Sequence, residues 1–361
     1  MKVVVYLTEP ASYTIDLVKE IYLPNDISFR FIKSKSYSNT VNKFPENLFL
    51  KNFSILGRFR ILKEDYYNFD TIFFSGYNST SFFILWIIHI FSKNKKSISI
   101  ISDTPLKIPS NFFKRAIKKM YLRHIFNNKY LNGLAGGEKL QKELFRYYGM
   151  SEEKIHFLPM VVDVNQFKFE PTRDRNKIFT YLYVGRFIKL KQIEIIIDEF
   201  LTIFKENKSA QLILIGDGPR YSNIHNKYSN HTNILFLGRL MKNELKREFK
   251  FAHVLILASN NENWGLVINE AMSASLAVLS NVGIGANYDL IQNKDTGLIF
   301  NTSIKGDLAN KMQILYYNKE KYLSLTRNAF SLMHDHWNFK LYHKQFNVIL
   351  SKLQKQKNNL K

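Results

Sequence analysis

Residues 252–291 read AHVLILASNNENWGLVINEAMSASLAVLSNVGIGANYDLI. An apolar run, Val254–Ala258, ends in a polar loop containing Gly265, and a helical pattern starts near Leu266. A second apolar run, Ala277–Ser280, then ends in a second Gly-containing loop, Val282–Leu290. Short β-branched runs separated by a helix are the mark of a βαβ unit in a parallel sheet. In such a unit the loop after each strand opens on the carboxyl edge of the sheet.

The same grammar extends in both directions. Upstream, apolar runs predict strands at Ile178–Val184, Gln211–Ile215 and Ile234–Leu237, with helices at Gln192–Lys205 and Asn243–Phe251 between strands. Asp163–Lys177 is polar, with Pro171 and a charge cluster, and reads as a linker. Before it, strands are predicted at Val3–Leu7, Ser28–Ile32, Thr71–Ser75, Ser97–Ile101 and Ile155–Leu158. Two such series predict an α/β protein of two Rossmann-like domains facing across a cleft, at 1–165 and 172–335. The tail after Trp337 reads as a basic amphipathic helix ending in a disordered KQKNNLK.

Four loops of the second half carry candidate chemistry. In Asn260–Met272, NNENWGLVINEAM, a helix beginning at a strand's carboxyl end turns backbone N–H groups and a positive dipole end toward the loop. Gly265 allows close backbone approach there. Glu262 in the loop and Glu270 about two turns into the helix could bracket a sugar nucleotide; the same residues would equally suit a capped helix with two solvated glutamates. In Val184–Gln192, VGRFIKLKQ, Gly185 permits a tight turn and sets Arg186 and Lys191 across it, two cations suited to a diphosphate or to a merely basic turn. Ile215–Pro219, with Gly216, and Val282–Leu290 are weaker signals, strengthened because all four loops would share one sheet edge.

Taken together, YVGRFIKLKQ, LILIGDGP, ILFLGR and residues 252–291 closely resemble the retaining glycosyltransferases of family 4, which have the GT-B fold. The resemblance covers Ile178–Phe300, and VVDVNQF (Val161–Phe167) is similar to that family's interdomain segment. It implies that a C-terminal helix, 336–361, returns to the N-terminal domain. It implies that Arg186 and Lys191 bind the donor diphosphate, that Glu262 lies by the transferred sugar, and that Glu270 binds the ribose. Gly185, Gly216, Asn263, Trp264, Gly265, Leu266 and Val267 would complete the donor site, the backbone from Trp264 to Val267 cradling phosphate. It also implies a UDP- or GDP-linked sugar donor, no cofactor, no obligatory metal, and a glycan or lipid-linked acceptor in surface-polysaccharide synthesis. Three positions depart from the family pattern. The first loop reads YLTEPASYT without the Gly-rich run, the fourth-strand loop reads SDTPLK with Asp103 in place of His, and Ser275 replaces a Gly. Asp103 is a candidate acceptor-side base or the cap of a turn.

Composition narrows the remainder. Fifty-two Lys and Arg against 30 Asp and Glu leave a formal charge of +22, which calls for an anionic partner or reflects a compositionally biased genome. There is no Cys, so disulfides, thiolate metal sites and Cys nucleophiles are excluded. His334-Asp335-His336 resembles a metal cluster, but neighbours on a helix point apart. No helix-turn-helix, zinc-finger or RNA-binding signature supports nucleic acid. The longest apolar run, Phe82–Phe91, is half the length a membrane span needs, and the N-terminal run is too short for a signal peptide.

A cytoplasmic enzyme peripheral to the inner face of the membrane is therefore expected, docking through Asn111–Tyr130, NFFKRAIKKMYLRHIFNNKY. At 100° per residue Phe113, Ala116, Ile117, Met120 and Tyr121 form an apolar face expected to pack on the domain. Lys114, Arg115, Lys118, Lys119 and Arg123 then face outward with Phe112 and Leu122 among them, and the loop Ser92–Ser97 is expected to extend this patch to an anionic membrane. Two other readings stand beside transfer: an epimerase or hydrolase of the same fold, and a non-catalytic membrane-bound partner.

Overall fold

The computed structural model describes residues 1–34, 44–171 and 177–359. They divide into two compact units, Met1–Val162 with Phe339–Lys361, and Asp163–Asn338. The charge cluster of the predicted linker lies, at residues 172–176, outside the described residues.

In the first unit the strands are β1 (Val3–Leu7), β2 (Ser28–Phe31), β3 (Thr71–Ser75), β4 (Ser97–Ser102), β5 (Leu131–Ala135) and β6 (Ile155–Phe157). They form one parallel sheet in the order β2-β1-β3-β4-β5-β6. The helices are α1 (Ser12–Leu17), α2 (Ile55–Asn68), α3 (Thr80–Phe91), α4 (Phe112–Phe126) and α5 (Leu140–Tyr147). Leu62 and Tyr66 of α2, Phe82, Leu85 and Trp86 of α3, and Leu122, Ile125 and Phe126 of α4 bury one shared core against the sheet.

The second unit holds β7 (Phe179–Val184), β8 (Ala210–Ile215), β9 (Ile234–Gly238), β10 (Val254–Leu257), β11 (Ala277–Asn281) and β12 (Gly297–Phe300). These form a second parallel sheet in the order β12-β11-β10-β7-β8-β9. Around it lie α6 (Ile193–Phe204), α7 (Tyr221–Tyr228), α8 (Lys242–Phe251), α9 (Val267–Ser273), α10 (Asp307–Tyr317) and α11 (Lys319–Ser331). The last helix, α12 (Phe339–Asn359), belongs to the first unit, where Tyr342 meets Tyr22 hydroxyl to hydroxyl at 2.7 Å and Phe346 packs edge-on to Phe73. The helix runs through most of KQKNNLK, so that segment is ordered where described: Lys357 is held by Asp70 at 2.7 Å.

Two strands escaped the sequence reading. β5, Leu-Asn-Gly-Leu-Ala, contains residues with poor strand preference, yet it pairs along its length with β4 and along its last residues with β6, and is fully buried. A Cβ on Gly133 would lie 2.7 Å from the Phe145 ring, so Gly is there to admit α5. β12 is a short edge strand on β11.

The apolar face of α4 is also other than expected. Leu122, Ile125 and Phe126 face the core, with Lys118 and Tyr121 half-buried beside them. Phe112, Phe113, Ile117 and Met120 are exposed, at 70%, 74%, 63% and 72%. The helix carries more apolar residues than its one packed stripe can bury, and the last two turns dock while the first two stand clear of the sheet. Leu122 is thus a core residue, not a member of a docking surface. Helices of this unit run antiparallel to the strands they cover, so the loop Ser92–Ser97 lies near the C-terminal end of α4, a helix about 22 Å long, and does not extend a patch at its start.

One polar cluster lies inside the first unit. Asp65 of α2 is 3% exposed. It accepts from Arg30 Nε at 2.6 Å and Nη2 at 3.0 Å, and from the Tyr6 hydroxyl. Burial, with Asp65 beside it, pushes the Tyr6 phenol well above its usual pKa. Removing one partner of such a cluster strands a charge. Arg30→Met is expected to cost about 3–5 kcal/mol, read as a lower urea midpoint of the first unit; a change under about 1 kcal/mol would show the pair to be solvated.

Candidate active site at the carboxyl edge of the second sheet

The second sheet has a topological switch. From β7 the chain lays down β8 and β9 on one side, then returns to lay β10, β11 and β12 on the other. The loops after β7 and β10 therefore diverge from adjacent strands, which opens a crevice at the carboxyl edge. Gly185 begins the first of these loops. Its N–H donates to Ile215 O at 2.9 Å, and the Tyr183 hydroxyl donates to Arg186 O at 2.9 Å, fixing the turn. Gly216, after β8, has φ +132°, and a Cβ there would lie 1.9 Å from Gly185 O. Only glycine lets the two loops touch.

The loop after β10 is braced from both sides. Asn260 N–H donates to Leu190 O at 3.1 Å, and Glu262 N–H to Gly283 O at 3.1 Å; Gly285 N–H returns to Glu262 O at 3.1 Å. Gly265 takes φ +94° at the entry to α9, whose first residue is Val267. The buried Trp264 does not face solvent: its indole N–H donates to Asn269 Oδ1 at 2.9 Å, and its ring stacks on Trp337 with centroids 5.7 Å apart. Trp264 therefore acts by anchoring the loop, while Asn263, Gly265, Leu266 and Val267 remain half-buried around it.

The result is one direct contact between distant motifs. Lys191 Nζ is ion-paired with Glu262 Oε2, side chains only partly exposed. Arg186 lies on the same loop as Lys191 with its side chain exposed. Glu270 is half-buried in the first turn of α9 rather than two turns in, because the helix begins only at Val267; its N–H bonds to Leu266 O at 3.1 Å. Several supporting residues were invisible in the sequence. Asn281, at the end of β11, donates to Ser259 O at 3.1 Å and accepts from Thr302 N–H at 3.2 Å. Asn287 donates to Asn281 O at 2.7 Å and accepts from Ser280 Oγ at 2.5 Å. An Asn or Ser closing an apolar run was the one available signal.

Ser275 adopts φ +51°, which explains the Gly expected there, and its Oγ donates to Phe169 O at 2.5 Å. The bond offsets the strain of a left-handed backbone, roughly 1 kcal/mol for a residue with a Cβ. Ser275→Gly is expected to be near neutral, whereas Ser275→Ala should lose about 1 kcal/mol in chemical denaturation. Equal effects in both would show that the bond does not offset backbone strain at this position.

At the carboxyl edge of the first sheet, Asp103 follows β4 near Tyr13, Glu9 and Tyr77. Burial raises the Tyr13 phenol pKa, with Asp103 and then Glu9 adding to the shift. Tyr77 is pushed up to about 12 by burial, with smaller effects from Tyr148, Tyr121 and Asp103. His334 donates its Nε2–H to Ser273 O at 3.0 Å and Asp335 accepts from Ser331, so the His-Asp-His run is split between separate partners. Among the described residues no group of three His, Cys, Asp or Glu is placed to hold a metal ion, and no helix is long and apolar enough to cross a membrane.

Residues 164–331 match the family model described as "Glycosyl transferases group 1". The second unit is a glycosyl transferases group 1 domain. Among curated relatives, the N-acetyl-alpha-D-glucosaminyl L-malate synthase of Bacillus anthracis is 25% identical over 195 residues, 53% of this chain and 49% of that protein. The alpha-monoglucosyldiacylglycerol synthase of Acholeplasma laidlawii is 27% identical over 165 residues, 43% of this chain and 39% of that protein. The chain thus spans half or less of these relatives. Among solved structures, Anabaena Alr3699/HepE in complex with UDP aligns over 97% of this chain and 100% of that one, with a TM-score of 0.76 at 16% identity. The fold is GT-B.

Proposed function

We propose that the chain is a retaining glycosyltransferase that moves a sugar from a UDP- or GDP-linked donor to a glycan or lipid-linked acceptor. The observation that carries this is the Lys191–Glu262 pair at the switch point of the second sheet, which sets a cation and a carboxylate side by side where nucleotides bind such sheets. The anomeric carbon–oxygen bond breaks with its electrons passing to the diphosphate, whose charge Lys191 and Arg186 stabilise. Glu262 accepts from sugar hydroxyls, Glu270 from the ribose, and the backbone at Gly265–Val267 meets phosphate. The acceptor oxygen bonds to the same face of the sugar, and its proton passes to the departing phosphate oxygen. Asp103 takes the acceptor side, near Tyr13 and Glu9. That Alr3699/HepE is a UDP complex, and that the relatives' names include glycosyl-lipid synthases, agrees with this reading.

The acceptor or its carrier is met at an anionic membrane. Ile108, Phe112, Phe113, Ile117 and Met120 are exposed beside Lys114, Arg115, Lys119 and Arg123, which supports docking of the start of α4 at the inner face, in surface-polysaccharide synthesis.

A thermal-shift screen with UDP, GDP, ADP and CMP tests the donor reading. At about 100 Kd of nucleotide, mass action adds about 2.7 kcal/mol, or roughly 5 °C or more. No rise with UDP or GDP would refute it. Transfer is expected to persist in EDTA, because Arg186 and Lys191 meet the diphosphate. Loss on chelation, restored by Mg²⁺ or Mn²⁺, would assign that role to a metal.

A further inference from the structure

The first unit holds a second feature at the opposite edge of its sheet. A cavity of about 460 Å³ opens where β3, β4 and β5 begin, and the last turns of α12 wall it with Leu353, Gln356 and Lys357. The volume lies within the range of small-molecule sites. Asp103 and the loop after β1 lie at the other end of these strands, so this cavity is separate from the acceptor edge.

Its charge is one-sided. Five lysines, at 93, 95, 96, 129 and 357, line it against one carboxylate, Asp70. That carboxylate is already occupied: Lys357 Nζ lies 2.7 Å from it and the Lys2 N–H 2.8 Å, and these bonds hold Asp70 below its usual pKa. Lys95 is also engaged, its Nζ 2.6 Å from His89 O and 2.7 Å from Ile90 O at the end of α3. Lys93, Lys96 and Lys129 have no carboxylate partner among the described residues. Lys96 reaches Tyr67 O at 3.4 Å and Lys129 lies over the Tyr130 ring at 5.1 Å. Gathering cations around one concavity costs electrostatic free energy that a bound anion returns. Lysine ammonium groups are suited to phosphate as mobile point charges.

A second observation is independent of charge. Asn132, in β5, lines the same cavity and is 2% exposed. Its Nδ2 donates to Ser97 Oγ at 3.2 Å, while its Oδ1 has no hydrogen-bond partner. A buried carbonyl oxygen left unpaired costs about 1–3 kcal/mol. Phosphate, which brings acceptors, does not answer it; a hydroxyl does.

We infer that this cavity binds a phosphorylated polyol, with the phosphate against Lys93, Lys96 and Lys129 and a hydroxyl donating to Asn132 Oδ1. The chemistry is shared by soluble polyol phosphates and by the glycerophosphate headgroup of an anionic lipid.

Calorimetry with glycerol 3-phosphate tests the soluble source. Lys93→Gln/Lys96→Gln/Lys129→Gln should weaken binding more than about tenfold, with the melting temperature of the free protein not lowered. The exposed single change Lys129→Gln, which leaves the fold alone, should weaken it about threefold. Asn132→Ala should weaken glycerol 3-phosphate but not sulfate, a tetrahedral anion without an O–H to donate. Phosphatidylglycerol vesicles test the headgroup, in a Lys114→Glu/Lys119→Glu/Arg123→Glu background that also carries Phe112→Ser/Phe113→Ser, which together remove docking by α4. Sedimentation that persists there and is lost with the three glutamines assigns the lipid. Binding in neither arm, or binding that survives the three glutamines, overturns the inference.

Discussion

Lys191→Ala is expected to lower sugar transfer about 10²–10³-fold, the scale of removing one donor aimed at developing charge. Arg186→Ala should follow the same direction with a smaller loss, because its side chain is exposed and water screens it. Both variants should bind UDP or GDP at least about tenfold more weakly, a loss of about 1.4 kcal/mol. Folding should scarcely change. The Lys191–Glu262 pair is partly exposed, and a pair of that kind contributes at most about 1 kcal/mol. Glu262→Gln separates the two roles. It leaves Lys191 to the diphosphate, so nucleotide affinity should hold or rise while transfer falls. Unchanged nucleotide affinity in both cation variants would remove the diphosphate from this loop.

How much of this was legible in the sequence follows from what each feature depends on. The strand-end loops were readable because β7, β8, β10 and β11 are apolar runs interrupted by glycine, a local signal. The pairing of Lys191 with Glu262 was not, since 71 positions separate them and only the strand order makes β7 and β10 neighbours. β5 was hidden because Asn132 and Gly133 serve tertiary needs, a polar side chain beside Ser97 and a missing Cβ beside Phe145, that contradict strand preference. Trp264 read as a ligand-loop residue through its backbone; its side chain is in addition an internal anchor, whose partners Asn269 and Trp337 gave no sign of themselves. The face of α4 was misassigned for a different reason. Periodicity locates an apolar stripe, but α4 carries two, and which one packs is decided by the neighbouring α3 and β5 rather than by the helix.

The packed face of α4 decides which of its cations can meet a membrane. Lys118 donates to Lys107 O at 2.7 Å and is half-buried, so reversing it would disturb the loop before α4 as well as any surface charge. Lys114, Lys119 and Arg123 are exposed and better placed. Changing these three to Glu alters the helix by about six units of charge, at about 1 kcal/mol each near an anionic surface. The salt-dependent part of sedimentation with anionic vesicles should therefore be lost, and for the native chain it should weaken as salt shortens the screening length to about 8 Å and below. The apolar contribution is distinct. Phe112, Phe113, Ile117 and Met120 stand clear of the core at the start of α4, and inserting a single Phe side chain returns about 1.5–3 kcal/mol whatever the salt. Phe112→Ser/Phe113→Ser should accordingly abolish the salt-resistant remainder while leaving the salt-dependent part, and it should not lower the melting temperature, since neither ring touches the core. Leu122→Ser is the contrast: a fully buried side chain, its loss should destabilise the first unit by about 2–5 kcal/mol. Vesicle binding that withstands both the charge reversal and the paired serines would move the docking surface away from α4, to the exposed Ile55 and Leu56 at the start of α2.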